Sequence, residues 1–188
     1  MADTDLTIRP PVNHDDYPAD YIRGILREVK TIALVGASAN GVRPSNLVMK
    51  YLMDKGYTVI PVNPGLAGQE LFGQKVYAKL AEIPSTFDMV DVFRNSDAAA
   101  TVVDEALALA VLPKVIWMQL MVRNDAAAAK AEAAGLKVVM NRCPKMEYGK
   151  LSGEWAWVGG NSGVISSKRQ ILHENGRLQS LGIGKTPE

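Results

Sequence analysis

Residues Thr31–Pro64, TIALVGASANGVRPSNLVMKYLMDKGYTVIPVNP, constrain the fold more than any other stretch of the chain. Thr31–Val35 is an apolar run with β-branched Ile32 and Val35, too short for a core helix and suited to a buried strand. Gly36 follows, a residue that turns sharply and lets a ligand approach the backbone. A helix pattern begins near Pro44, which is favoured in a first turn because its missing N–H would be unpaired there anyway. Leu47, Val48, Tyr51 and Leu52 form one apolar stripe, and Gly56 supplies the C-terminal stop. Tyr57–Val62 then reads as a second strand. A strand–helix–strand unit of this kind aims unpaired N–H groups and a positive helix end at the turn, so an anion is expected there.

The spacing within the turn narrows the ligand. Gly36, Ser38 and Gly41 give G-x-S-x-x-G, with a hydroxyl where a Rossmann fingerprint has its middle glycine. Gly36 and Gly41 also have the G-x4-G spacing of a P-loop, but Val42 and Arg43 stand where Lys and Ser/Thr belong. The second strand ends in Asn63-Pro64, where an NAD enzyme places an acid on the adenosine ribose. Asp54 precedes that strand and cannot serve. A neutral edge suits a nucleotide whose ribose carries a phosphate, because a carboxylate there would repel it.

The α/β rhythm continues on both sides. Asp20–Lys30 reads as a leading helix, with Tyr21, Ile22, Ile25, Leu26 and Val29 on one face. Gly65–Gly73 reads as a loop, Val76–Tyr77 as a short strand, and Met89–Phe93 as a clearer one. Ala98–Ala110 and Asp125–Ala134 read as helices, Val115–Met118 and Leu136–Met140 as strands. This alternation predicts a Rossmann-like, three-layer α/β domain with a mostly parallel sheet of about five to six strands. The expected organisation is an N-terminal arm over 1–17, the domain over 18–151, and a C-terminal extension over 152–188.

Composition excludes several classes. The 188 residues are 47% hydrophobic, enough for one core. A net charge of +1 argues against a nucleic-acid or membrane surface. Neither a signal peptide nor a spanning run is legible, and a cytoplasmic protein is expected. Cys143 is the single cysteine, so no intrachain disulfide is expected, and His14 and His173 lie too far apart to suggest a metal site.

Individual residues supply candidates. Arg43 sits at the mouth of the glycine-turn helix, where a guanidinium can meet a phosphate with two prongs. Phe93 and Arg94 end a strand beside the crevice in which open α/β sheets bind ligands, and Gln119 ends the next. Trp117 reads as core packing. Cys143 has no histidine near in sequence to activate it and reads as a small buried apolar residue. Lys145, Glu147 and Tyr148 close the site or finish the last loop; Trp155 and Trp157 pin the tail or mark a partner surface. Asn161–Gln170 reads as a loop into a short helix at Arg169–Glu174, wrapping the domain or a dimer mate.

VGAS at Val35–Ser38, RPS at Arg43–Ser45, GYTVIPVNP at Gly56–Pro64, VDVFR at Val90–Arg94, IWMQL at Ile116–Leu120 and NRCPKMEY at Asn141–Tyr148 carry a resemblance. Over Tyr21–Leu151 the chain resembles the small bacterial CoA-binding proteins, whose domain is similar to the CoA-binding domain of the succinyl-CoA synthetase α subunit. It departs at Met121 and Asn141, where that family more often has Gly and Asp. The resemblance implies coenzyme A or an acyl-CoA as ligand, held by Gly36, Ala37, Ser38, Arg43, Ser45, Val62, Asn63, Pro64, Phe93, Arg94 and Gln119. With such a ligand, the helix N-terminus and the neutral end of the second strand put the diphosphate at the Gly36–Arg43 turn and the adenosine beside Val62–Pro64. Two other functions stay open. An NAD(P)-dependent oxidoreductase is disfavoured by Asn63-Pro64 and by the lack of a legible catalytic Tyr-x-x-x-Lys or His-Asp pair. A subunit of an acyl-CoA ligase would need a partner to supply the phosphorylated histidine domain. Either a homodimer or an unidentified protein partner is compatible with the sequence.

Overall fold

The computed structural model describes residues 12–153. Five parallel strands form the sheet: β1 (Thr31–Val35), β2 (Thr58–Val62), β5 (Met89–Val92), β6 (Val115–Met118) and β7 (Lys137–Val139), in the order β2-β1-β5-β6-β7. The chain runs outward from β1 to β2, then crosses back to place β5 on the other side of β1. The direction of winding therefore reverses between β1 and β5, and a crevice opens beyond the carboxyl ends of those two strands.

Alternation along each strand divides the core in two. Ile32, Leu34, Met89, Trp117 and Val139 face α1 (Ala19–Glu28), α2 (Pro44–Asp54) and α5 (Pro144–Ser152). Ala33, Val90, Val92, Ile116, Met118 and Val138 face α3 (Ser96–Leu107) and α4 (Asp125–Ala133). Burial on both faces explains why the strands read as continuous apolar runs. At the amino edge, Asp88 ties three strand starts together. It accepts from the amides of Lys30 and Thr31 at 2.9 and 3.1 Å and pairs with Lys114 Nζ at 2.9 Å.

Several local expectations change. Within Gly65–Gly73, a 3-10 turn over Pro64–Leu66 leads into an antiparallel ribbon, β3 (Glu70–Leu71) with β4 (Gln74–Lys75). Val76–Tyr77 adds only a single parallel bridge, Val62 to Tyr77. The segment after β7 is the helix α5 rather than a loop; Pro144 at its first turn and left-handed Gly153 at its end are its signals. In α2, Leu47 is exposed while Ser45 and Asn46 are buried, because the helix start is turned toward the sheet's carboxyl edge. Trp155, Trp157, the Arg169–Glu174 helix and His173 lie outside the described residues, as does residue 1–11 of the arm. The rest of the arm is packed: the Tyr17 hydroxyl accepts from Met140 N at 2.7 Å, and His14 Nδ1 lies 2.8 Å from that hydroxyl. Among the described residues no helix is long and apolar enough to cross a membrane.

Candidate functional site

The turn after β1 is shaped by an approach only glycine permits. Gly36 has φ +92, and a Cβ there would lie 2.3 Å from the Phe93 carbonyl oxygen. Phe93 N in turn donates to Val35 O at 2.8 Å, so the ends of β1 and β5 are drawn together. The Gly36 and Ala37 amides donate to Val62 O at 2.9 and 3.3 Å. Those two N–H groups close the turn onto β2 and are spent. The amides of Ser38, Ala39 and Gly41 take no acceptor among the described residues and form the part of the turn open to an anion.

Asn63 has a structural task at the same place. Its Nδ2 donates to Ala37 O at 2.7 Å and its Oδ1 accepts from Gly65 N at 2.9 Å. The side chain thus braces the turn, while exposed Pro64 starts the 3-10 turn beside it. On the other flank, Asn46 Nδ2 donates to Ser38 O at 2.9 Å, and the Ser38 hydroxyl accepts from Asn40 N at 3.2 Å.

Helix capping separates the elements that border the crevice. Asn95 and Asn124 cap α3 and α4 through side-chain bonds to Ala98 N and Ala127 N. Neither Arg43 at the start of α2 nor Cys143 at the start of α5 makes a side-chain cap. The start of α2 therefore presents unsatisfied N–H groups at the crevice, whereas at the start of α5 the Lys145 and Met146 amides face the Cys143 thiol. Arg43 and Arg94 are exposed and form no ion pair among the described residues. Buried Ser45, in the first turn of α2, has no hydrogen-bond partner for its hydroxyl among them.

Between these elements lies a cleft of about 610 Å³. Pro44 and Val48 of α2 form one wall, Phe93, Arg94 and Asn95 another, and Gln119–Val122 the third, with Cys143 at its base. Expected residues Phe93, Arg94 and Gln119 meet there. Gly36, Ala37, Ser38, Arg43 and Ser45 cluster at the adjoining turn, and Val62, Asn63 and Pro64 stand on its far side. The loop Leu120–Val122 carries Met121 at φ +64, a conformation suited to the glycine that the resemblance leads one to expect.

Asp91 escaped the sequence reading. It lies in the middle of β5, fully buried, in register with Leu34 and Trp117. Gln119 Nε2 donates to both its oxygens, at 2.8 and 3.1 Å. Burial pushes its pKa up to about 8, against the opposing effect of that amide. The contact orients Gln119, whose Oε1 takes no donor among the described residues. An acid inside the apolar run Met89–Phe93 was the available signal. Cys143 is buried, and desolvation raises its thiol pKa, an effect the Asp91 charge reinforces. A neutral thiol is a poor nucleophile. Trp117 is core as expected, wholly buried with Nε1 donating to Arg142 O at 2.8 Å.

Comparison with known proteins identifies the family. The profile of a family described as the CoA binding domain matches residues 30–149. The chain belongs to that family. The chain is 36% identical over 127 residues to the uncharacterized protein YneT of Bacillus subtilis, covering 68% of this chain and 91% of YneT. A solved structure from Thermus thermophilus has 36% identity and a TM-score of 0.68, covering 72% of this chain and 99% of its own. A hypothetical protein from Pyrococcus horikoshii OT3 has 38% identity and a TM-score of 0.68, covering 77% and 99%.

Proposed function

We propose that this chain is a non-catalytic module that binds coenzyme A or an acyl-CoA at the carboxyl edge of its sheet. The observation that carries this reading is the meeting, at the β1/β5 switch point, of an open-amide turn, the uncapped start of α2 and two arginines without an ion pair among the described residues. The diphosphate lies at Ser38–Arg43, the adenosine beside Val62–Pro64, and the thiol arm runs into the cleft past Phe93 toward Gln119. Family membership supports CoA as the nucleotide. Burial of Cys143, which raises its thiol pKa and keeps it neutral, supports binding without turnover.

Titration of the purified protein with CoA and NAD by calorimetry tests the reading, using Arg43→Ala and Arg94→Ala as controls. CoA is expected to bind and NAD to compete poorly. Each arginine variant is expected to lose about 1.5–3 kcal/mol of CoA affinity, the range for hydrogen bonds to charged groups. Full CoA affinity in both variants, or tighter binding of NAD, would overturn the site.

A further inference from the structure

Met121 is 90% exposed and Leu120 48% exposed, yet both line the cleft. Exposing a large apolar side chain is unremarked on a surface at random, but Met121 also holds φ +64, which glycine adopts without strain and methionine does not. Such a conformation persists only when neighbours impose it. Here the Asn141 side chain does so, its Oδ1 accepting from Met121 N at 2.8 Å, while Asn141 N donates to Val122 O at 3.1 Å. Asn141 itself is left-handed, at φ +52. The crossed bonds hold the loop after β6 against the end of β7 and present the thioether at the cleft's mouth. Pro44 and Val48 form part of the same cleft lining. Arg94 is the one charged side chain among the lining residues.

Resting on the reading of this cleft as the end of a CoA site, we infer that Met121, Leu120 and Val48 form an acyl subsite. Its ligand is the CoA thioester of a short, uncharged aliphatic acid. The lining supplies apolar contact at the place where the thiol arm ends, and no second cation for a terminal carboxylate. Methionine suits this task, since its flexible thioether adapts to chains of different shape.

Calorimetric titration of the full chain with CoA, hexanoyl-CoA and succinyl-CoA tests the subsite in three proteins: the parent, Met121→Gly and Met121→Gln. The parent is expected to bind hexanoyl-CoA more tightly than CoA, and succinyl-CoA no more tightly than CoA. Met121→Gly should melt at a higher temperature, since strain is removed, while its hexanoyl-CoA to CoA affinity ratio falls about tenfold. Met121→Gln keeps length and replaces the thioether by an amide, and the ratio should fall there too. Equal affinities in the parent, or an unchanged ratio in both variants, overturns the acyl subsite and leaves the CoA reading standing. Failure of the parent to bind CoA removes the CoA reading itself, and the subsite with it.

Discussion

Asp91 shows what one buried group does to the whole stability curve. Burial raises its carboxyl to about 8 when folded, against 3.8 as the ordinary value. Between those values the folded chain holds a proton that the unfolded chain has released. Stability is therefore fullest below the unfolded value and declines as pH rises through about 8. Asp91→Asn removes the titration while an amide oxygen still faces Gln119 Nε2. The variant is expected to show a flatter melting profile than the parent between pH 5 and 8, with its largest gain at pH 8. Identical slopes in the two proteins would mean that the carboxyl is not desolvated.

At the scale of elements, the site depends on how closely β1 and β5 approach. A methyl group on Gly36 would meet backbone, the Phe93 carbonyl, rather than a side chain that can swing aside. Gly36→Ala also forces an L residue into φ +92. We expect a loss of about 2–4 kcal/mol in chemical denaturation. CoA affinity should fall with it, because the turn and Arg94 lose their alignment. Gly41→Ala serves as the comparison: a Cβ there meets nothing within 4 Å, so stability should change little. A Gly36→Ala protein as stable as Gly41→Ala would show that the contact yields. Asn63 belongs to this scale as well. Sequence reading treats it as a missing ribose acid, whereas its amide braces Ala37 to Gly65. Asn63→Asp would therefore disturb the turn before it tested the nucleotide.

For the whole molecule, a ligand held only by the folded state adds stability by mass action. CoA at about 100 times its dissociation constant should add about 2.7 kcal/mol. For a chain of this size each kcal/mol raises the melting temperature by roughly 2–4 °C. Dephospho-CoA at the same concentration should raise it less, because an unpaired arginine then faces no 3′-phosphate. Equal shifts for the two ligands would remove the assignment of a cation to that group.

Periodicity alone determined the strand and helix alternation, the parallel sheet and the glycine turn, because each is written in contiguous residues. Thr31–Val35 and Val115–Met118 coincide with observed strands for that reason. The candidates at Phe93, Arg94 and Gln119 were legible because residues at strand ends in such a sheet share one edge. Other features depended on partners far away in the chain. That the Gly36 and Ala37 amides are spent follows from Val62, on a different strand. The helix α5 combines a low apolar contrast with burial against α1 and α2, and periodicity missed it. Asp91 becomes a neutral acid only when the surrounding core excludes water, against the pull of the Gln119 amide, and Met121 takes its left-handed turn under the hold of Asn141. Local pattern specified which elements form; tertiary contact decided which polar groups remain free to meet a ligand.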